Sequence, residues 1–182
     1  MGITTLIKTV TASDDSEITF VDGTSSVVFD STYDEYMFVF TGLNPSTDQV
    51  KLMFQCNAAG ASGYNESVVA GYAYADHCED DSDASYQYDA SYDQVGTSDI
   101  IMSVHTGSDA DQTVAGILHV FSPASTTYVT HFYWDTQSSS NVNCSINAHG
   151  GGLFNLTAAI DEIRFYMSSG NFDGTIEMYG IA

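Results

Sequence analysis

The segments Glu162-Ile163-Arg164-Phe165-Tyr166-Met167 and Ile176-Glu177-Met178-Tyr179-Gly180, with Ser169-Gly170-Asn171 and Asp173-Gly174 between them, decide the fold. In the first, Ile163, Phe165 and Met167 alternate with Glu162, Arg164 and Tyr166. In the second, Ile176, Met178 and Gly180 alternate with Glu177 and Tyr179. A period of two sends one set of side chains to each face of a pleated strand. Gly-Asn and Asp-Gly supply the turn chemistry that ends such strands. Two half-buried strands are predicted.

Working outward, strand-length apolar runs recur along the chain, separated by turn residues. They are Thr5–Val10, Ile18–Val21 (closed by Asp22-Gly23), Val27–Phe29, Tyr36–Phe40, Val50–Cys56, Val68–Tyr74, Ile100–Val104, Thr113–Phe121, Thr127–Trp134 and a weaker Val142–Ala148. Tyr36–Phe40 is apolar on both faces and is expected at the centre of a sheet. In Val50–Cys56, Leu52, Phe54 and Cys56 share a face with Val50; in Thr113–Phe121, Val114, Leu118 and Val120 are expected inward. Gly150-Gly151-Gly152 reads as a flexible bend, and Asn155–Ala159 as one helical turn.

About ten or eleven strands, the weaker Val142–Ala148 aside, without an amphipathic helix must pair antiparallel. The expected fold is all-β: an antiparallel, jelly-roll-like β-sandwich of about ten strands. No fixed period marks a solenoid or propeller, and a parallel β-helix is the structural competitor. One domain over residues 1–182 is expected, with Met1–Lys8 as an extended arm able to add a strand to a neighbour.

Three basic residues (Lys8, Lys51, Arg164) face 24 acidic ones, for a net charge of −21. Such a chain repels nucleic-acid phosphates and anionic membranes, having almost no cations with which to displace their counterions. Solubility and adaptation to a saline medium both account for the charge. The first residues lack the pattern of a signal peptide, and no run is long enough for an apolar membrane helix. Cys56, Cys78 and Cys144 are an odd set, far apart, and are expected as buried free thiols made in a reducing cytoplasm.

Catalytic signatures are not found. His77, His105, His119, His131 and His149 stand singly, and no combination with a cysteine has zinc-ligand spacing. No nucleophile elbow frames a serine, and no glycine loop opens a helix. The chain is expected to be no enzyme and to need no cofactor. The stretch 76–99 is acidic, with Tyr86, Tyr88 and Tyr92 interspersed. It reads either as a solvated loop or as a calcium site on Asp80, Asp81 and Asp83, although its spacing fits no EF-hand. The three tyrosines suit a contact surface, because tyrosine offers large area at low entropic cost. Asn65-Glu66-Ser67, Asn143-Cys144-Ser145 and Asn155-Leu156-Thr157 match glycosylation acceptors, which carry no meaning in a bacterial host.

Four stretches together carry a resemblance: Ile18–Thr24, Val28–Tyr36, Phe121–Phe132, and Thr157–Asn171 with Gly174–Ile176 and Tyr179–Ile181. They resemble virion structural proteins of tailed phages of marine bacteria, of capsid-decoration or fibre type. The resemblance spans nearly the whole chain and brings no catalytic residues. It implies a decoration (cement) protein on the outer shell, partnered by the major capsid protein or other virion proteins and made in the host cytoplasm. A homotrimer is expected by analogy with virion jelly rolls. The alternative it implies is a tail-fibre module recognising cell-surface glycans, with Tyr72, Tyr74 and Trp134 as aromatic platforms.

Overall fold

A computed structural model describes residues 3–182. It contains thirteen strands: β1 (Thr4–Asp15), β2 (Glu17–Val21), β3 (Glu35–Pro45), β4 (Leu52–Ala58), β5 (Val68–Cys78), β6 (Ala84–Tyr88), β7 (Gln94–Gly96), β8 (Ile100–Ile101), β9 (Val114–Phe121), β10 (Thr130–Ser139), β11 (Cys144–Phe154), β12 (Ile160–Met167) and β13 (Phe172–Ile181). All pairings are antiparallel. The larger sheet runs β1-β13-β3-β9-β10-β11-β5-β6, with β7 sharing the outer edge of β5. The smaller sheet runs β2-β12-β4-β8.

Setting aside β5–β7 and β10–β11 leaves eight strands. Renumbered in sequence, they run 1-8-3-6 in one sheet and 2-7-4-5 in the other, which is the order of a jelly roll. The chain is therefore a jelly-roll sandwich carrying two insertions, one between β4 and β8 and one between β9 and β12. The insertions pair with each other through β5 and β11 and widen one sheet well beyond the other.

Alternation placed the core. Phe165 of β12 lies within 5.1 to 6.1 Å, centroid to centroid, of Phe38 and Phe40 from the facing sheet and of Phe20 and Phe54 from its own. Aromatic pairs at such separations prefer edge-on or offset geometry, and most of these are edge-on or tilted. Beyond the smaller sheet, Phe54 reaches Phe132 of β10 at 5.2 Å. Residues 102–106 cover the remaining inner face in place of a further strand. Met102 donates its backbone N–H to Leu52, Thr106 donates to Val50, and the Thr136 hydroxyl donates to the Met102 carbonyl.

Several sequence expectations are corrected. Residues 4–8 are no free arm but the start of β1, with Thr4 opposite Ile181; Met1 and Gly2 lie outside the described residues. Val27–Phe29 is buried but is a loop, pinned where Asp22 accepts the Phe29 N–H at 2.8 Å. Asn155–Ala159 forms no helical turn. Gly150-Gly151-Gly152 is no bend: it lies inside β11, opposite Trp134, Tyr133 and Phe132 of β10. Bulky aromatics on one strand need room on the next, and glycine provides it. A Cβ on Gly150 would strike the Gly71 carbonyl oxygen and the Trp134 ring together. Gly150→Ala is accordingly expected to cost about 1–3 kcal/mol by overpacking. Thermal unfolding should register this as a fall of roughly 3–10 °C in Tm, and an unchanged Tm would mean the two strands are not so closely apposed.

The outer faces of the two sheets differ. Over the smaller sheet, the loop that follows β4 lies down on β12, where the Arg164 guanidinium sits between the rings of Tyr64 and Tyr166, 4.6 and 4.7 Å from their centroids. Glu17 and Asp99 flank the same guanidinium at 3.8 and 3.6 Å. The outer face of the larger sheet is open, with Tyr133 43% and Val69 51% exposed.

Candidate functional site

The stretches singled out in the sequence lie far apart along the chain, yet part of each meets the others at one end of the sandwich, while Ser169–Asn171 lies at the opposite end, bonded to Ser46 and Asp14. The loop after β2 is tied to the start of β12, the Asp22 N–H donating to the Asp161 carbonyl at 2.8 Å. The turn after β9 is tied to both sides: Ser122 N–H donates to the Asp34 carbonyl at 2.7 Å, and Ile160 N–H donates to the Pro123 carbonyl at 2.8 Å. Tyr36 is buried beneath and donates its hydroxyl to the Asp30 carbonyl at 3.1 Å. Tyr33 packs on Tyr36 and closes over Gly180, where any side chain would collide with its ring. The exposed tip belongs to Tyr128, held by a turn in which the Ser125 hydroxyl accepts the N–H groups of Thr127 and Tyr128. Between these loops lies a depression of about 230 Å³ lined by Asp30, Tyr33, Asp34, Ser122, Ala124 and Tyr128, among others.

Local chemistry fixes this end. The Thr32 hydrogen bonds hold the Asp30 carboxyl below the usual carboxylate range. Burial, followed by the charge of Asp30, pushes the Tyr36 phenol up to about 12. Burial also raises Asp161, with Glu162 adding like-charge repulsion. A carboxyl whose folded value is depressed stabilises the fold above its unfolded value and loses that contribution as pH falls through the folded one. The Asp30 carboxyl carbon should therefore titrate by NMR below the usual Asp value of about 3.9; a midpoint at or above that value would contradict the Thr32 contact.

A second region is the junction of the two insertions. Here Cys78 and Cys144, directly opposite one another on β5 and β11, form a disulfide. This corrects the expectation of three free thiols: the pair is hidden in the sequence by a separation of 66 residues and exposed only by strand register. Cys56 alone is free and buried, and burial pushes its thiol well up. Beside the disulfide opens a cleft of about 570 Å³. Its floor includes Tyr74, Ile146 and the two cysteines, and its rim carries Asp76, Asp83, Gln87, Gln49 and Asn141.

The acidic stretch is only partly a loop, since it contains β6, a 3-10 turn at Ala90–Tyr92 and β7. Its three candidate calcium ligands go separate ways. Hydrogen bonding from the Ser82 side chain, and then from the Ser82 N–H at 3.0 Å, holds the Asp80 carboxyl low. Asp81 faces His77 at 3.2 Å, and Asp83 turns to the cleft. Among the described residues, no three His, Cys, Asp or Glu side chains converge on one point that could hold a metal. Of the contact tyrosines, Tyr86 (70%) and Tyr88 (64%) are exposed on the edge strand β6. Tyr88 donates to Asp93, which raises its phenol. Tyr92 is no surface contact: it packs half-buried on Tyr72 at 5.3 Å, under the Lys51 ammonium. Tyr72 and Trp134 are buried and offer no open aromatic platform, and Tyr74, 9% exposed, contributes only to the floor of the cleft.

No protein-family model, curated protein or solved structure matches the sequence.

Proposed function

We propose that the chain is a non-catalytic structural module of a phage particle, a decoration protein that docks on the outer shell surface. The observation that carries this reading is that segments of all four resembling stretches, around Asp22, Asp34, Ser122 and Ile160, are hydrogen-bonded together at one end, with Tyr128 at its tip. A docking end needs loops held rigid before contact, since loops ordered on binding lose affinity. The hydrogen bonds from Ser122, Ile160 and Asp22 supply that rigidity. The shell would be stabilised by area buried across its joints. Mass spectrometry of purified particles, with copy counting, tests the reading. Copies comparable in number to the major capsid subunits support it, and a handful per particle would exclude the shell.

The cleft beside the disulfide favours a second reading, a fibre module that binds glycans. An apolar floor with a rim of carboxylates and amides suits a neutral sugar, which has both C–H faces and hydroxyl groups. A glycan array with no signal would remove it.

The charge bears on either role. Two of the three cations are engaged, Arg164 between two rings and Lys51 over Tyr92, so the 24 acids repel one another largely unanswered. Salt shortens the reach of that repulsion from about 30 Å at 0.01 M to about 3 Å at 1 M. Calorimetry is expected to show a Tm several degrees higher in molar sodium chloride than at low salt, and equal values would count against self-repulsion as a destabilising force.

A further inference from the structure

The register of the larger sheet lays out its open face row by row. One row carries Leu6, Tyr179, Met37, His119 and Tyr133 on five successive strands. It continues through Gly151 to Gly71, where the Tyr88 ring and the Asp93 carboxylate that it bonds cover the sheet and close the row. The next row carries Phe121, Leu153, Val69 and Val95. Tyr133 stacks on His119 at 4.5 Å and on Phe121 at 5.8 Å, so the two rows form one aromatic and aliphatic stripe.

Charge is nearly absent from this face. Of the 24 acids, the strand positions facing outward hold Glu35, Asp135, Glu177 and, at the far end of β13, Asp173. Each is already partnered: Glu35 by His119, Asp135 by the Asn147 amide at 2.7 Å, Glu177 by the Tyr179 hydroxyl at 3.0 Å, and Asp173 by the Asp14 N–H at 2.7 Å. A carboxylate satisfied in this way costs less to cover than a bare one.

We infer that this face is where a second copy of the same chain docks, sheet against sheet. Two chains of charge −21 repel wherever their acidic loops meet, and this stripe is the broad region where they approach without that penalty. The whole open face, with the stripe at its centre, is close in size to what a stable interface takes. Seven gaps separate β1 from β6. At about 4.8 Å per gap and about 20 Å along the strands, the face measures on the order of 700 Å². A stable interface takes about 800 Å² from each partner. A face that meets its own copy is self-complementary, so apolar row lies on apolar row. The inference is independent of the virion reading, because it concerns the isolated chain.

Sedimentation velocity of the purified protein across a concentration series, in about 1 M salt to screen the loops, tests it. The wild type is expected to run above monomer mass, and the double variant Val69→Asp/Tyr133→Asp to run as a folded monomer with an unchanged far-UV spectrum. Both side chains point outward, so the substitutions leave the core intact. Hydroxyl-radical footprinting of the wild type gives a second readout that needs no variant: Tyr133, Phe121 and Leu153 become protected as concentration rises, while Tyr128 at the loop end does not. A wild type that stays monomeric at every concentration, an assembly indifferent to the two aspartates, or protection at Tyr128 instead of Tyr133 overturns the inference.

Discussion

Replacing Cys78 and Cys144 by serine is expected to lower Tm by about 10 °C, and reducing the wild type with a thiol is expected to do the same. The bridge closes a loop of 66 residues. By loop-closure entropy alone, opening it frees the unfolded chain by about 4 kcal/mol. For a domain of this size each kcal/mol corresponds to roughly 2–4 °C. The loss should be local as well as global. The disulfide joins the two insertions at the far end of β5 and β11, so hydrogen exchange should accelerate first in β6 and around the cleft, and last in β3, β12 and β13. A reduced protein that melts with the oxidised one would show that the insertions hold together without the bridge.

Trp134→Ala is expected to destabilise the fold by about 3–5 kcal/mol. Trp134 is 1% exposed and stands between Phe132 and Tyr72, with Gly150 opposite on β11. Glycine neighbours have no side chain with which to refill the space, so the cavity should persist and the cost should lie at the upper end of that range. Trp134→Phe separates packing from polar effects. The indole Nε1–H has no hydrogen-bond partner in the protein, so its removal forfeits no bond. The phenylalanine variant should therefore lose well under half of what the alanine variant loses in urea unfolding monitored by circular dichroism. Equal losses would locate the effect in the N–H instead of the ring.

Both effects concern the widened part of the sheet, where the sequence was hardest to read. Glu162–Met167 and Ile176–Gly180 were legible because each has one buried and one less buried face, and the pattern is written in their own residues. Tyr36–Phe40 was legible in part: it lies inside its sheet, flanked by β13 and β9, but third from the β1 edge and with one of its apolar faces left open. Gly150–Gly152 misled because a glycine in an isolated sequence signals freedom. Only the aromatic run on the neighbouring strand shows that room was required. Val27–Phe29 misled for the opposite reason: its residues are apolar enough to be buried, but a loop can bury them too when a carboxylate such as Asp22 takes the backbone N–H.

For the candidate sites the division is similar. The four stretches that contribute to the loop end were visible as residues, but nothing in their spacing says that Ser122 meets Asp34 or that Ile160 meets Pro123. Asp80, Asp81 and Asp83 stand close in sequence and diverge in space, because a tight turn points successive side chains in different directions. Tyr72, Tyr74 and Trp134 were recognisable as large aromatics, with no local sign of which face of the sheet they would take.

What the sequence determined by itself was the all-β class, the identity of most core residues and an acidic exterior, because periodicity and charge are local properties of the chain. The tertiary structure alone decided that two insertions pair, that Cys78 meets Cys144, and that one sheet keeps a nearly uncharged open face. Each of these depends on register between strands tens of residues apart, and register is set by which faces must be buried together, not by any one strand's own residues.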